Sequence, residues 1–380
     1  MARQRIRGEG SISHTSTYKG DKEKWIARVW NPKTQRYIHR YVDTERQALK
    51  KIKQIQWEQE QGLDSAKVST LMKNYLPEWL ALHRNNLKLS SYDGYEAMVR
   101  VHLIPRLGRY KLTALTPEII SRTWDSMIKK GHSATVVNHC QRRLSRALTD
   151  AVKRSLISRN PCRFVTPPKI EKKEILPLDD GEIQTLLEAA KGTEFHPIIF
   201  TALHTGMRRN ELLGLQCKDI DLDLATIYLN RSIYRSNRET VIQTTKTTGS
   251  RRAIALSPEA VLFLRSEEGR QIANGIFYGY AVDGDSPVFP NSRTGKSLLP
   301  DTVTHEFAKI ARGLGFSNKF HDLRHTHATM LLKRGINPKI VQERLGHASI
   351  RITMDIYSHV MPNMQKDAMA DFTMPVTPVK

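Results

Sequence analysis

Residues 321–324 read His-Asp-Leu-Arg, residues 345–347 read Leu-Gly-His, and Tyr357 follows ten residues after His347. This grouping sets a hydroxyl nucleophile beside cationic and hydrogen-bonding side chains. A tyrosine with an unperturbed pKa near 10 is ionised in about one molecule in a thousand at neutral pH, a deficit of roughly 4 kcal/mol. Neighbouring positive charge must offset that cost. The stretch therefore predicts attack on a phosphodiester without a metal ion.

Two segments further upstream carry cations that suit the same chemistry. Thr205-Gly206-Met207-Arg208 places Arg208 at a glycine-containing helix start, which directs the side chain away from the core. Lys246 lies in residues 245–250, a loop between two predicted strands that would form a hairpin and carry Lys246 towards a substrate. The three strands predicted in this part of the chain cover residues 225–229, 241–244 and 252–256.

Composition favours a polyanionic partner. The chain has 60 Lys plus Arg against 38 Asp plus Glu, a formal charge of +22, and a pI near 9.9. Nucleic acid is the leading candidate. No apolar run approaches the roughly 20 residues of a spanning helix, and no hydrophobic stretch of a secretory signal follows the basic start. We expect a cytoplasmic protein without membrane partners that joins the nucleoid when it binds DNA.

The sequence predicts a multidomain protein, mainly α-helical with small β-sheets. Positive charge concentrates in residues 1–62, with 14 basic and 7 acidic side chains, and in residues 63–170, with 19 basic and 7 acidic side chains. Prolines 167 and 168 and a charged run mark the second boundary. The predicted domains are residues 1–62, a small β-sheet plus helix; residues 63–168, helical throughout; and residues 169–380, mixed α/β.

The first domain is predicted to bind DNA through arginines on its strands. Residues 25–30 and 37–42 are β-rich, and Thr44 caps a helix over residues 45–60. The aromatic residues of the strands are expected to form the core. The predicted DNA-binding arginines are Arg28, Arg36 and Arg40.

The second domain carries its own arginine cluster. Its third or fourth helix is predicted over residues 134–154 and gathers Arg142, Arg143 and Arg146 on one side. A solvated helix face is the alternative explanation of this cluster. The charge excess of the domain favours a DNA-facing surface.

These segments together resemble the phage-integrase family of tyrosine recombinases. Thr205-Gly206-Met207-Arg208 resembles the first arginine box of the family, Thr245-Lys246-Thr247 its β-hairpin lysine, and residues 353–359 its nucleophile segment. Residues 321–324 and 345–347 resemble its two histidine boxes. The resemblance implies a helical, SAM-like core-binding domain and an N-terminal arm-binding domain. The catalytic residues that it implies are Arg208, Lys246, His321, Arg324, His347 and Tyr357.

The chemistry of these side chains agrees with the resemblance. Arg208 and Arg324 are permanent cations whose planar forks suit the non-bridging oxygens of one phosphate. Lys246 would protonate the departing 5′-oxygen, assisted by His321 and His347. A covalent phosphotyrosine stores the energy of the broken bond, so neither a cofactor nor ATP is expected.

Three patterns suggest other kinds of site, and each has a simpler explanation. His321, His325 and His327 suggest a metal cluster, but Arg324 beside them is an unfavourable cation and a third zinc ligand is missing from one face. Residues 219–223 imitate a calcium loop, yet their intervening residues are apolar, and a helix-to-strand turn is the better interpretation. Gly295-Lys296-Ser297 lacks the strand and first glycine of a nucleotide-binding loop.

Two functions of different classes remain open at this point. The first is a site-specific recombinase that integrates, and excises, a mobile element or prophage, acting as a homotetramer on double-stranded DNA attachment sites. An accessory DNA-bending protein or an excision factor would be additional partners. The second is a catalytically silent architectural or regulatory protein of the same fold. The six catalytic positions favour the first, and the N-terminal domain and tail favour a recombinase over a type IB topoisomerase.

The tail, with Met364, Ala368 and Phe372 at helical spacing, is expected to dock on a neighbouring subunit or on its own domain.

Overall fold

The computed structural model describes residues 10–15, 24–32, 35–60, 70–171, 176–236, 239–244 and 252–360 of the 380-residue chain. For residues 58, 235, 239, 240, 243, 244 and 357–360 it describes the backbone alone. The chain divides into two compact units, Met1–Lys172 and Lys173–Lys380. Within the described ranges no helix has the length and apolar character needed to cross a bilayer. The division into three domains stays a prediction.

The first unit begins with a three-stranded antiparallel sheet followed by a helix. The sheet has the order β1-β2-β3, and Thr44 caps the helix by accepting a hydrogen bond from the Gln47 amide at 3.3 Å. The two predicted strands and the helix are confirmed, whereas β1 was not predicted. The bounds are β1 Ser11–Thr15, β2 Lys24–Asn31, β3 Arg36–Val42 and α1 Glu45–Glu60.

Over residues 70–171 the first unit is mainly helical, as predicted. Its helices surround a core that includes Trp79, Leu103, Trp124 and Leu144. The buried Tyr75 hydroxyl donates a hydrogen bond to the Ala147 carbonyl at 2.6 Å. The bounds are α2 Met72–Leu82, α3 Leu89–Ala97, a π-helical turn Met98–Leu103, α4 Ile104–Leu107, α5 Pro117–Lys129 and α6 Ala134–Lys153.

The second unit packs helices around two small sheets. Asp179 begins its first helix with a reciprocal cap, because the Asp179 carboxylate accepts from the Glu182 amide at 2.8 Å and the Glu182 carboxylate accepts from the Asp179 amide at 2.9 Å. The helices are α7 Asp180–Ala190, α8 His196–Thr205, α9 Arg209–Leu212, α10 Pro258–Tyr278, α11 Pro300–Gly313, α12 Asp322–Lys333, α13 Pro338–Leu345 and α14 Ile350–Val360. The strands are β4 Ile220–Asp221, β5 Thr226–Leu229, β6 Arg231–Ser236, β7 Glu239–Thr244 and β8 Arg252–Ala255.

The predicted pairing of the last two strands is wrong. β7 pairs with β6, with Ile233 opposite Ile242, and β8 pairs with β5 in the order β4-β5-β8. Strand β6 was not predicted because its sequence, Arg-Ser-Ile-Tyr-Arg-Ser, has a single buried apolar position, Ile233. Residues 245–250 therefore connect two different sheets and do not close a hairpin, although their own structure lies outside the described residues.

The acidic run at residues 219–223 forms the predicted turn. Asp219 is buried and accepts a hydrogen bond from Arg231 at 3.1 Å. Asp221 accepts from the amides of Asp223 and Leu224 at 3.1 and 2.8 Å. Both carboxylates therefore accept hydrogen bonds from groups of the protein itself. For the chain as a whole, the predicted fold class, mainly α-helical with small β-sheets, is confirmed.

Candidate active site

The first arginine box lies where α8 ends and α9 begins. Gly206 ends α8 in the left-handed region at φ 64°, and an added Cβ would lie 2.5 Å from Leu345 Cδ2 and 2.6 Å from His327 Cδ2. Only glycine fits both the conformation and the close approach. Arg208 then caps α9, as the predicted helix start requires, and its amide donates to Glu211 at 3.0 Å.

Arg324 projects from the first turn of α12 into the interior. It is 4% exposed, and its guanidinium donates to the Gly206 carbonyl at 2.8 Å and to the Leu345 carbonyl at 2.6 Å. Burial, followed by the charge of Arg208, lowers its pKa to about 9. Arg324 is therefore a buried cation that remains charged at neutral pH.

The two arginines meet the same short loop after α13. Arg208 donates to the Gly346 carbonyl at 3.3 Å, next to the Leu345 carbonyl that Arg324 contacts. The Arg208 side chain is 41% exposed. Three motifs that lie far apart in sequence are thus brought together, with one buried and one accessible guanidinium.

A buried carboxylate to which the sequence assigned no role holds this arrangement. Glu211 is 5% exposed and accepts from Arg208 Nη1 at 2.8 Å and from Arg252 Nη2 at 2.9 Å. Burial opposes its ionisation, but the hydrogen bond and charge of Arg252, with help from Arg208, lower its pKa to about 2. A glutamate three residues after an arginine at a helix start was the available sequence signal. Nothing in the local pattern marked Arg252, because its partners are distant in sequence.

The two predicted histidines are held in a positively charged environment. His347 Nδ1 lies 2.9 Å from the hydroxyl of buried Thr353. Burial, then the charges of Arg324 and Arg208, lowers the pKa of His347 to about 4. His321, whose ring is edge-on to that of His325 at 5.7 Å, also has a lowered pKa, caused by burial and then by His325. Both imidazoles are therefore neutral at pH 7, and an anionic phosphate beside them would raise their pKa values.

The remaining two predicted catalytic side chains are not described. Lys246 lies within residues 245–250, outside the described residues. The backbone of Tyr357 belongs to α14, but its side chain is also outside the description. The neighbouring Ile356 packs against the core formed by α12 and α13, so the backbone of the nucleophile segment belongs to the same subassembly as Arg324 and His347.

The arginine cluster of α6 is organised by an aromatic ring. Arg143 and Arg146 both stack over Tyr95, at 4.9 and 5.6 Å from the ring centroid. Arg146 also donates to the Tyr95 hydroxyl at 2.8 Å. Arg142 is exposed and lies 3.5 Å from His139, which Arg143 contacts at 3.0 Å. The structure therefore brings these three arginines together on one surface.

The three strand arginines, in contrast, do not share a face. Arg40 lies opposite Ala27, which belongs to the core that α1 covers. Because side chains alternate along a strand, Arg36, four positions before Arg40, lies on this same core face of the sheet. Arg28 pairs with His39 on the opposite side. That outer face also carries Tyr37 and Tyr41, which are 56% and 45% exposed. The expectation that the strand aromatics serve the core is wrong for these two tyrosines, since the buried strand residues of this core are aliphatic.

Among the described residues, no group of three or more His, Cys, Asp or Glu side chains is placed to hold a metal ion. His327, one of the histidines considered for such a cluster, is engaged elsewhere. Its Nδ1 is 2.7 Å from the Leu203 carbonyl.

Comparison with known proteins agrees with this geometry. A profile of the phage integrase family matches residues 177–364, and a profile of the phage integrase N-terminal SAM-like domain matches residues 71–128. The tyrosine recombinase XerC-like protein of Caldanaerobacter subterraneus subsp. tengcongensis is 29% identical over 318 residues, which cover 79% of this chain and 81% of that protein.

Two solved structures share the fold. The Tn1549 transposon integrase in complex with a circular intermediate DNA has a TM-score of 0.68 at 22% identity, over 80% of this chain and 99% of that one. A lambda integrase tetramer bound to a Holliday junction has a TM-score of 0.58 at 18% identity, over 88% and 95%. The two family profiles, which match residues 71–128 and 177–364, show that the chain belongs to the phage integrase family of tyrosine recombinases.

Proposed function

We propose that this chain is a site-specific DNA recombinase that cuts and rejoins double-stranded DNA through a 3′-phosphotyrosine intermediate, and that it integrates and excises a mobile element or prophage. The observation that carries the proposal is the meeting of Arg208, Arg324 and His347 around one loop. Three positive or hydrogen-bonding groups converge there from separate segments. Such a group suits the charge that develops on a phosphate under attack.

Each arginine has a distinct part in the proposed reaction. Arg324 uses its guanidinium to join two backbone segments, and its fixed charge lowers the energy of the dianionic, five-coordinate phosphorus in the transition state. Arg208 is more accessible and binds the non-bridging oxygens directly. Tyr357 attacks the phosphorus, its own P–O bond forms, and the bond to the 5′-oxygen breaks. No cofactor enters this scheme.

Proton transfers are assigned to three other groups. Lys246 gives a proton to the departing 5′-oxygen, while His321 and His347 assist by hydrogen bonding and by accepting the tyrosine proton. The lowered pKa values of both histidines keep the imidazoles neutral before DNA binds. A neutral imidazole has a free nitrogen that can accept a proton.

DNA binding is assigned to the first unit. Arg142, Arg143 and Arg146 form the proposed core-site contact, supported by their shared surface around Tyr95. For the N-terminal sheet we propose that the outer face with Arg28 meets the arm-type DNA, while Arg36 and Arg40 can reach phosphates only from the edge of the opposite face. Residues 1–62, 63–168 and 169–380 are the proposed arm-binding, core-binding and catalytic domains.

The proposed working assembly is a homotetramer on two duplexes, with an accessory bending protein or excision factor as further partners. The lambda integrase tetramer on a Holliday junction supports this by similarity of fold. In the cell, the protein would work in the cytoplasm on nucleoid DNA. The expected docking of the tail concerns residues 361–380, which lie outside the described residues.

A nicked duplex tests the proposal. The substrate spans the junction of the element ends, read from the DNA that flanks this gene, and a nick near the scissile phosphate traps the covalent product. Wild-type protein should give a protein–DNA adduct on a denaturing gel, and Tyr357→Phe should bind with unchanged affinity and give none. An adduct formed by Tyr357→Phe, or none formed by the wild type, would contradict the proposal.

A further inference from the structure

Arg344, in the last turn of α13, connects three elements that surround the candidate active site. Its Nε donates to His327 Nε2 at 3.1 Å, its Nη1 to the Ala255 carbonyl at 2.8 Å and its Nη2 to the His204 carbonyl at 3.0 Å. Its own carbonyl accepts from Arg252 Nε at 2.8 Å. One side chain thus joins the ends of α13, α8 and β8 to α12.

His327 completes the connection and has a defined tautomer. Its Nδ1 lies 2.7 Å from the Leu203 carbonyl; a carbonyl only accepts, so Nδ1 carries the proton and Nε2 offers a lone pair to Arg344. Burial, and then the charge of Arg344, lowers the pKa of His327 to about 3. The imidazole stays neutral and keeps its acceptor at working pH.

The backbone segments that this pair ties together are the ones that hold the proposed catalytic arginines. Arg324 reaches from the Gly206 carbonyl, just after α8, to the Leu345 carbonyl, at the end of α13. Arg208 reaches from the start of α9 to the Gly346 carbonyl. A change in the separation of the two segments would therefore displace both guanidinium groups.

We propose that His327 and Arg344 are positioning residues, which hold the end of α13 against the end of α8 and thereby aim Arg208 and Arg324 at the scissile phosphate. Neither side chain contacts DNA in this scheme. The inference rests on the proposed function, because it concerns the geometry of strand cleavage.

Variants of both residues test the proposal on the nicked duplex that spans the element ends. Arg344→Met keeps an unbranched apolar stem but removes the donors, and single-turnover cleavage should fall by about 10- to 100-fold because small misplacements of catalytic groups are costly. Affinity for the duplex should change less than about threefold, since the side chains that bind phosphates are unchanged. His327→Leu should lose a similar factor. His327→Gln, whose amide oxygen can accept from Arg344, should recover most of the rate.

A double-mutant cycle separates positioning from general loss of stability. If Arg344 acts through the two catalytic arginines, Arg344→Met should lower the cleavage rate by a smaller factor in an Arg324→Ala background than in the wild type, because Arg208 alone is then left to be misplaced. A matched control is Arg231→Met, which breaks the ion pair of partly exposed Arg231 with buried Asp219 away from the catalytic arginines and should have the same small effect in both backgrounds. Rates are compared at a temperature at which circular dichroism shows each variant fully folded.

The outcomes distinguish this inference from the proposed function. Absence of a wild-type adduct overturns the proposed function itself. If the wild type cleaves, the positioning role is contradicted when Arg344→Met cleaves at the wild-type rate, or when it loses the same factor with and without Arg324. Equal losses in His327→Gln and His327→Leu would likewise contradict the role of the imidazole acceptor.

Discussion

Replacing Glu211 with glutamine removes the charge that Arg208 and Arg252 share. Glu211 and Arg252 have side chains that are 7% and 8% exposed, so the substitution leaves a buried guanidinium without its counter-charge. Breaking a buried pair in this way costs about 3–5 kcal/mol. Glutamine keeps the shape and one acceptor oxygen, and we expect the second unit to lose about 3 kcal/mol of its free energy of unfolding.

The effect has a definite dependence on pH. Although burial opposes ionisation, Arg252 and Arg208 lower the pKa of Glu211 from 4.5 to about 2 in the folded protein. A pKa below the unfolded value stabilises the fold fully above about pH 4.5, and this contribution is lost as the pH falls towards 2. The difference between the folded and unfolded pKa values of Glu211 corresponds to a stabilisation of about 3 kcal/mol at pH 7 and of roughly half of that near pH 3. Wild type and Glu211→Gln should converge on acidification.

The distribution of tryptophan makes the assay selective. All five tryptophans lie in residues 1–172, so their emission reports the first unit, while circular dichroism reports the helices of both units. In urea, an unfolding transition that circular dichroism shows and tryptophan emission does not show belongs to the second unit. In Glu211→Gln this transition should move to a lower urea concentration at pH 7. The control Glu188→Gln breaks an exposed pair with Lys191 and should change stability by under about 0.5 kcal/mol. Unaltered stability of Glu211→Gln at pH 7, or a difference that does not shrink with acid, would show that the shared charge does not stabilise the fold.

Three further predictions concern strand cleavage, DNA binding and the separate role of the N-terminal domain. Arg324→Ala should cleave the nicked duplex at least about 10² to 10³ times more slowly than the wild type while binding it with nearly the same affinity. A near-normal cleavage rate on a denaturing gel would contradict the role of Arg324 in the transition state. Replacing Arg142, Arg143 and Arg146 with alanine should weaken binding and flatten its dependence on log salt by up to about 0.9 for each phosphate that is no longer neutralised, whereas an unchanged slope would indicate a solvated helix face. A fragment from Asp64 should cleave an isolated core site but fail to recombine full-length attachment sites, and normal integration by the fragment would exclude a separate arm-binding role.

Features set by local chemistry could be predicted from the sequence. The Thr44 cap, the helix that begins at Ala134 and the helix start at Arg208 depend on residues a few positions apart. The order of the motifs allowed the family to be recognised. Local spacing also explains why the turn at residues 219–223 was identified correctly.

Features set by distant partners could not be predicted. Arg252 and Arg344 acquire their roles from carbonyls and carboxylates that are 41 to 140 positions away in the chain, and no local pattern announces such contacts. The pairing of β6 with β7 was missed because a strand with one buried apolar position has weak alternation. The faces of Arg28 and Arg40 depend on the register between neighbouring strands, which no local pattern in the sequence determined.

Mass spectrometry of the trapped adduct is the decisive test of Tyr357 as the nucleophile. Trypsin cleavage after Arg351 and Lys366 releases a peptide in which Tyr357 is the sole tyrosine. After cleavage of the nicked duplex and digestion of the DNA, we expect this peptide to carry the added nucleotide mass, with fragment ions that place it on Tyr357. Attachment of the nucleotide to any other residue, or recovery of only the unmodified peptide from a cleaved substrate, would contradict the proposed mechanism.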